Sequence, residues 1–157
     1  MVHPLIGIHA AIGELGVLAF LWVFVELLNP TEPRIKRAKI AAALGTLFFL
    51  ASWVAGGYYY VTYYGPAVKP VIKSGPAPWA HGVVMEVKEH VFLFLPFLSA
   101  LTTGLVYRYK NNLIKDAGAR TSVLLLCALI VIVGLLMAGM GYIISTGARA
   151  ALEGKIA

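Results

Sequence analysis

Along the chain, long apolar stretches alternate with short polar and charged ones, and the pattern occurs four times. The apolar runs cover about 5–28, 40–64, 91–107 and 121–145, each near the roughly 20 residues an α-helix needs to cross a bilayer. None shows the alternation over about ten residues that a membrane strand requires, so a β-barrel is excluded. Helices are therefore expected at about 5–28, 40–64, 79–107 and 121–145. The predicted fold class is all-α, a four-transmembrane-helix bundle forming one integral membrane domain over 1–157.

The breaks between runs carry their own signals. Asn29-Pro30 and Pro33 are expected to end the first helix, and Gly65-Pro66 the second, because proline lacks the amide donor and clashes with the preceding turn. The Pro/Gly-rich segment 65–79 is expected to be an extended strap, with no helix of its own, between helices 2 and 3. Trp79 and the tyrosines Tyr58, Tyr59, Tyr60, Tyr63 and Tyr64 are expected to form an aromatic belt at the same membrane face.

Composition sharpens this. With 60% of residues apolar, 13% charged and a mean hydropathy of +0.83, the chain is not a soluble core in a charged skin. Its sole cysteine, Cys127, allows neither an internal disulfide nor a thiolate metal cluster. The net charge of +6 is explained by position. Arg34, Lys36, Arg37 and Lys39 fill one short loop, and Arg108, Lys110, Lys115 and Arg120 fill the other loop on that side, against only Glu32 and Asp116. Cytoplasmic loops carry such an excess, so the expected topology is N-out and C-out in the plasma (inner) membrane. The lipid bilayer is the expected partner for the apolar surface, and nucleic acid is not expected.

All four histidines then fall at the outer face. His3 and His9 open the first helix, and His81 and His90 open the third. His9 lies 19 residues before Leu28 and His90 lies 18 before Arg108. At 1.5 Å per residue both sit about 27 to 29 Å from the inner boundary. At the same depth the second helix offers Tyr58 beside Gly56-Gly57, and the fourth offers Met140 between Gly139 and Gly141. Small residues there permit close helix packing or leave a slot for a flat ligand. A b-type haem needs an imidazole on each side, apolar walls and cations near its propionates. His9 and His90 are the expected axial pair, with Lys69, Lys73, Lys88 and Arg149 near the propionates. His3 and His81 are candidates for a second, shallower haem or metal, since an unbroken helix places His81 about 180° around from His90.

Glu14 lies about one and a half turns below His9, where an ionised carboxylate costs about 3 kcal/mol or more. It is the expected proton acceptor, or the group that orients a ligating histidine. Glu86, four residues from His90, is a candidate for the same orienting role. Glu26, near the inner boundary, is expected to snorkel or to pair with a loop arginine. A copper site using Met137, Met140, Met85 and the histidines is the alternative cofactor. A carboxylate–histidine metal cluster lacks the Glu-x-x-His spacing on two helices. Transport finds no broken helices paired across two halves.

His3-Pro4-Leu5-Ile6-Gly7-Ile8-His9, a histidine opening the third helix, and the glycine-rich end Met140-Gly141-Tyr142 to Gly147 together resemble an uncharacterised family of small four-helix membrane proteins. Ala10-Ala11 stand where that family has an aromatic residue and a proline. The resemblance implies a membrane domain that binds haem or a metal. A more distant likeness is to membrane cytochromes of the b type, although those with haems near both faces carry histidines at both ends of the bundle. The expected function is a haem-bearing electron relay near the outer face, working between quinone and an outer-side redox subunit within a respiratory complex. A structural or assembly subunit is the competing expectation. One centre near one face cannot carry an electron across the roughly 30 Å core unaided.

Overall fold

A computed structural model describes residues 3–154. Among them there is no strand, and four helices are long and apolar enough to cross a membrane. They are α1 (Pro4–Leu28), α2 (Glu32–Lys73), α3 (Ala80–Tyr109) and α4 (Ala117–Glu153). A further short helix, Asn112–Lys115, sits in the loop before α4. The chain is an all-α four-helix bundle whose apolar outer surface fits contact with lipid. Leu18, Leu47, Val54, Phe94, Phe97, Leu125 and Leu135 all face outward.

Local chemistry sets the ends. His3 caps α1, its Nδ1 accepting the Leu5 amide at 3.3 Å, and Pro4 occupies the first turn, where a missing N–H costs nothing. Asp116 caps α4 by accepting the Ala119 amide at 2.9 Å. Lys110, at φ 50°, turns the chain out of α3.

Small residues let the helices approach. Phe49 packs on Gly16 and Phe20 packs on Gly45, with the two rings stacked 6.0 Å apart between α1 and α2. Val17 presses against Gly134 where α1 crosses α4. Thr103 on α3 donates to the Ala42 carbonyl of α2 at 3.0 Å and lies 2.9 Å from the Thr46 hydroxyl. Without a hydrophobic drive between helices in lipid, such packing and bonding hold the bundle.

At the basic end, Glu26 is buried and multiply bonded. It accepts Arg34 Nε at 2.8 Å, Arg37 Nε at 2.7 Å and Trp22 Nε1 at 2.9 Å. Glu26 thus pairs with the expected arginines, although Arg34 and Arg37 stand in the first two turns of α2 and not in a loop. Arg34 also donates to the Val25 and Asn29 carbonyls at 2.9 and 3.1 Å, closing the end of α1.

Several boundaries differ from expectation. α2 starts at Glu32 and α4 runs to Glu153, because helical winding continues past the apolar stretch that hydropathy detects. Gly65-Pro66 does not end α2. The chain passes through both residues as a π-helix, Tyr60–Val68, and stays helical to Lys73, so the strap shrinks to 74–79. The wider π turn accommodates a proline that an α-helix rejects. α3 opens with a second π segment, Ala80–Met85, and is interrupted at Leu93, where the ring of Pro96 crowds the Phe92 carbonyl one turn back.

Candidate functional site

His9 is the most thoroughly built side chain at the histidine end. Its Nδ1 lies 2.8 Å from the Ser52 carbonyl oxygen, which can only accept, so Nδ1 carries the proton and donates it. The Ser52 hydroxyl donates back to the His9 carbonyl at 2.9 Å and stands 3.0 Å from the same Nδ1. One turn along α2, Gly56 provides the seat. A Cβ there would lie 2.6 Å from His9 Nδ1. Ser52 and Gly56 share a face of α2, so one helix supplies both the partner and the space. Nε2 makes no hydrogen bond among the described residues, and in the neutral ring it carries the lone pair.

Two cavities meet at this histidine. The first, about 510 Å³, lies between the upper parts of α1, α2, α3 and α4. Its walls include His3, Tyr59, Tyr60, Tyr63, Tyr64, Met85, Lys88 and Arg149. The second, about 580 Å³, lies mainly between α1 and α4 and includes Glu14, Val17, Phe49, Ser52 and Met137. Ile6, His9, Lys88, Phe92, Gly141 and Ser145 border both. The second cavity extends from the Val17–Gly134 crossing, beyond which Gly7, Ala10 and Gly13 on α1, with Ala138 and Gly141 on α4, leave the wedge unfilled.

Polar groups on these walls are unevenly paired. Lys88 reaches from α3 to α4, where a Cβ on Gly141 would stand 3.0 Å from Nζ. Neither Lys88 nor Glu14 makes a salt bridge or side-chain hydrogen bond among the described residues. Arg149 has a single long contact, 3.5 Å, with Ser145 Oγ. The His3 ring packs at a tilt against Tyr63 and Tyr59, with centroids 4.3 and 5.5 Å away.

Of the expected site residues, His3, His9, Lys88 and Arg149 come together on the first cavity, and Glu14 joins His9 and Lys88 on the second. His90 lines neither cavity. It is exposed, its Nδ1 donating to the Glu86 carbonyl one turn back at 2.6 Å. Counting depth from Arg108 gives its height, but the break at Leu93 changes its direction. Glu86 therefore serves His90 through its backbone and not through its carboxylate. His81 is fully buried against Tyr64 and outside both cavities. Lys69 and Lys73 also line neither, and Tyr58 is 62% exposed. Met85 and Met137 fall in different cavities, so no cavity gathers the methionines expected for copper. Among the described residues no group of three or more His, Cys, Asp or Glu side chains is placed to hold a metal ion.

Sequence reasoning missed two parts. Ser52 is a polar residue inside an apolar run, a signal that it bonds to something within the bundle. Four of the tyrosines expected in an interfacial belt also wall the first cavity, with Tyr59 and Tyr64 buried and Tyr63 exposed, as are Tyr58 and Trp79. Comparison with protein-family models, with curated proteins and with solved structures finds no match to this chain.

Proposed function

We propose that this protein is a membrane-embedded redox subunit that holds a b-type haem in the first cavity, with His9 as its axial ligand. One observation carries this reading. The His9 ring is fixed through Nδ1 by the Ser52 carbonyl and seated on Gly56, its Nε2 is without a hydrogen bond among the described residues, and the residue lines the cavity. A ligating histidine is held in this manner, its second nitrogen bonded to fix tautomer and direction. The cavity volume, the tyrosine and aliphatic walls, and the cations Lys88 and Arg149 for two propionates support the same ligand. His3 shares this cavity and is the proposed second axial ligand in place of His90; ligation through Nε2 requires the Nδ1–H tautomer, so binding would release the Leu5 amide that Nδ1 accepts. The haem would supply one-electron chemistry. Copper is the less supported cofactor, because its thioether donors are divided between cavities.

The wedge between α1 and α4 supports a lipid-soluble electron donor beside that centre. A quinol would release its two electrons and two protons one at a time, and Glu14, on the wedge wall without an ion pair among the described residues, is the proposed acceptor of each proton in turn, passing the first to water before the second. Electrons would pass to a redox partner at the histidine end, and the basic loops at the opposite end support an outward-facing position for it.

The test is an oxidised and dithionite-reduced visible spectrum of the detergent-purified protein with iron analysis on the same sample. Sharp reduced α and β bands with about one iron per chain are expected. A colourless, iron-free protein from haem-sufficient cells overturns the reading and leaves the structural-subunit alternative.

A further inference from the structure

We propose that Tyr64, His81 and Glu86 form a proton-conducting chain between the first cavity and the aqueous surface at the histidine end. Tyr64 is 2% exposed and lines the cavity. Its hydroxyl lies 3.1 Å from His81 Nδ1. His81 has no exposed surface, and its Nε2 has no hydrogen-bond partner among the described residues. That nitrogen stands 3.6 Å from Glu86 Oε1, whose side chain is 47% exposed. A small rotation of the half-exposed carboxylate closes the remaining gap.

An apolar residue would fill the His81 site more cheaply, since leaving a buried polar nitrogen unpaired costs stability. Position accounts for the imidazole: its two nitrogens face two different ionisable side chains, one reaching the cavity and one reaching water. The backbone is specialised at the same place. Tyr64 lies in the π segment Tyr60–Val68, and His81 in the π segment Ala80–Met85. π-Helical turns occur frequently at functional positions, and here two π segments carry the paired side chains. Lys69 and Lys73 on α2 and Glu86 and Glu89 on α3 are the charged groups near His81. From α4 the neighbouring contact is apolar, Gly147 against Ala80.

Transfer balances without any oxidant. With the proton of neutral His81 on Nε2, that proton passes to the Glu86 carboxylate as Nδ1 takes the Tyr64 hydroxyl proton. Tyr64 is re-protonated from the cavity, and Glu86 releases its proton to water. One proton enters and one leaves in a single passage, which leaves the ring protonated on Nδ1; a second passage requires the imidazole to rotate and carry that proton back to the Glu86 side.

The inference stands on the protein alone and needs no bound group, so its failure would leave the haem reading untouched. The experiment is solvent exchange of the His81 ring N–H, followed by nitrogen-15 NMR of the uniformly labelled full chain in detergent micelles. Glu86→Gln is expected to slow this exchange by about tenfold, Glu86→Asp to restore most of it, and Glu86→Gln with Tyr64→Phe to slow it further. Unchanged exchange in Glu86→Gln overturns the surface arm of the chain. A double variant that exchanges no more slowly than Glu86→Gln overturns the cavity arm. Unaltered His9 ring signals in each variant verify that the bundle has folded.

Discussion

The imidazole of His9 donates its Nδ1 proton to the carbonyl oxygen of Ser52 at 2.8 Å, tying α1 to α2 at the depth where two cavities meet. The bond spans two transmembrane helices and orients the ring toward the cavities. Both the packing of the bundle and the proposed chemistry depend on it.

Gly56→Ala tests the seat. The added Cβ would stand 2.6 Å from His9 Nδ1 and 2.7 Å from Cε1, so the ring must leave its position. Loss of the haem bands is expected, with a stability cost of about 1–3 kcal/mol for overpacking. Ser52→Ala makes the contrast. It retains the carbonyl acceptor and loses only the hydroxyl, so the bands should persist and unfolding in detergent should shift by about 1 kcal/mol.

How much of this was legible depended on the physics behind each residue. Four apolar runs and two basic loops reveal a helical bundle because lipid demands continuous hydrophobic helices. The shared end of His3, His9 and the cation Arg149 followed from counting along helices. Direction did not, because it depends on phase. The π segments at Tyr60–Val68 and Ala80–Met85 and the break at Leu93 change that phase, and they turn His90 outward while burying His81. The Tyr64–His81 pair was invisible for the same reason, joining residues 17 apart across a strap that was expected to be longer.

Glu14→Gln separates stability from function. A carboxylate inside the hydrocarbon without an ion pair among the described residues is costly when charged, so the amide should raise stability by about 1–3 kcal/mol. Quinol-dependent reduction of the centre should fall, with the oxidised and reduced spectra unchanged. A variant that turns over quinol at the wild-type rate removes Glu14 from the proton path.

Removing Glu26 should weaken the basic end. Glu26→Ala leaves Arg34, Arg37 and the Trp22 N–H without their shared acceptor, and a loss of about 2–3 kcal/mol is expected in chemical denaturation. The haem bands, at the other end of the bundle, should keep their positions in the folded fraction.

The α1–α4 crossing is testable by a double-mutant cycle. Gly134→Ala places a methyl against Val17 and should cost about 1–3 kcal/mol. Val17→Ala should recover a large part of that loss, a coupling that additive, distant sites do not show.

The most direct test of the account compares the reduced-minus-oxidised visible spectra of wild type, His9→Ala, His3→Ala and His90→Ala, each purified with its iron content measured. The account predicts sharp bands in wild type, loss of bands and iron in His9→Ala, an altered spin state in His3→Ala and a wild-type spectrum in His90→Ala. A His9→Ala protein that keeps the wild-type bands would contradict it.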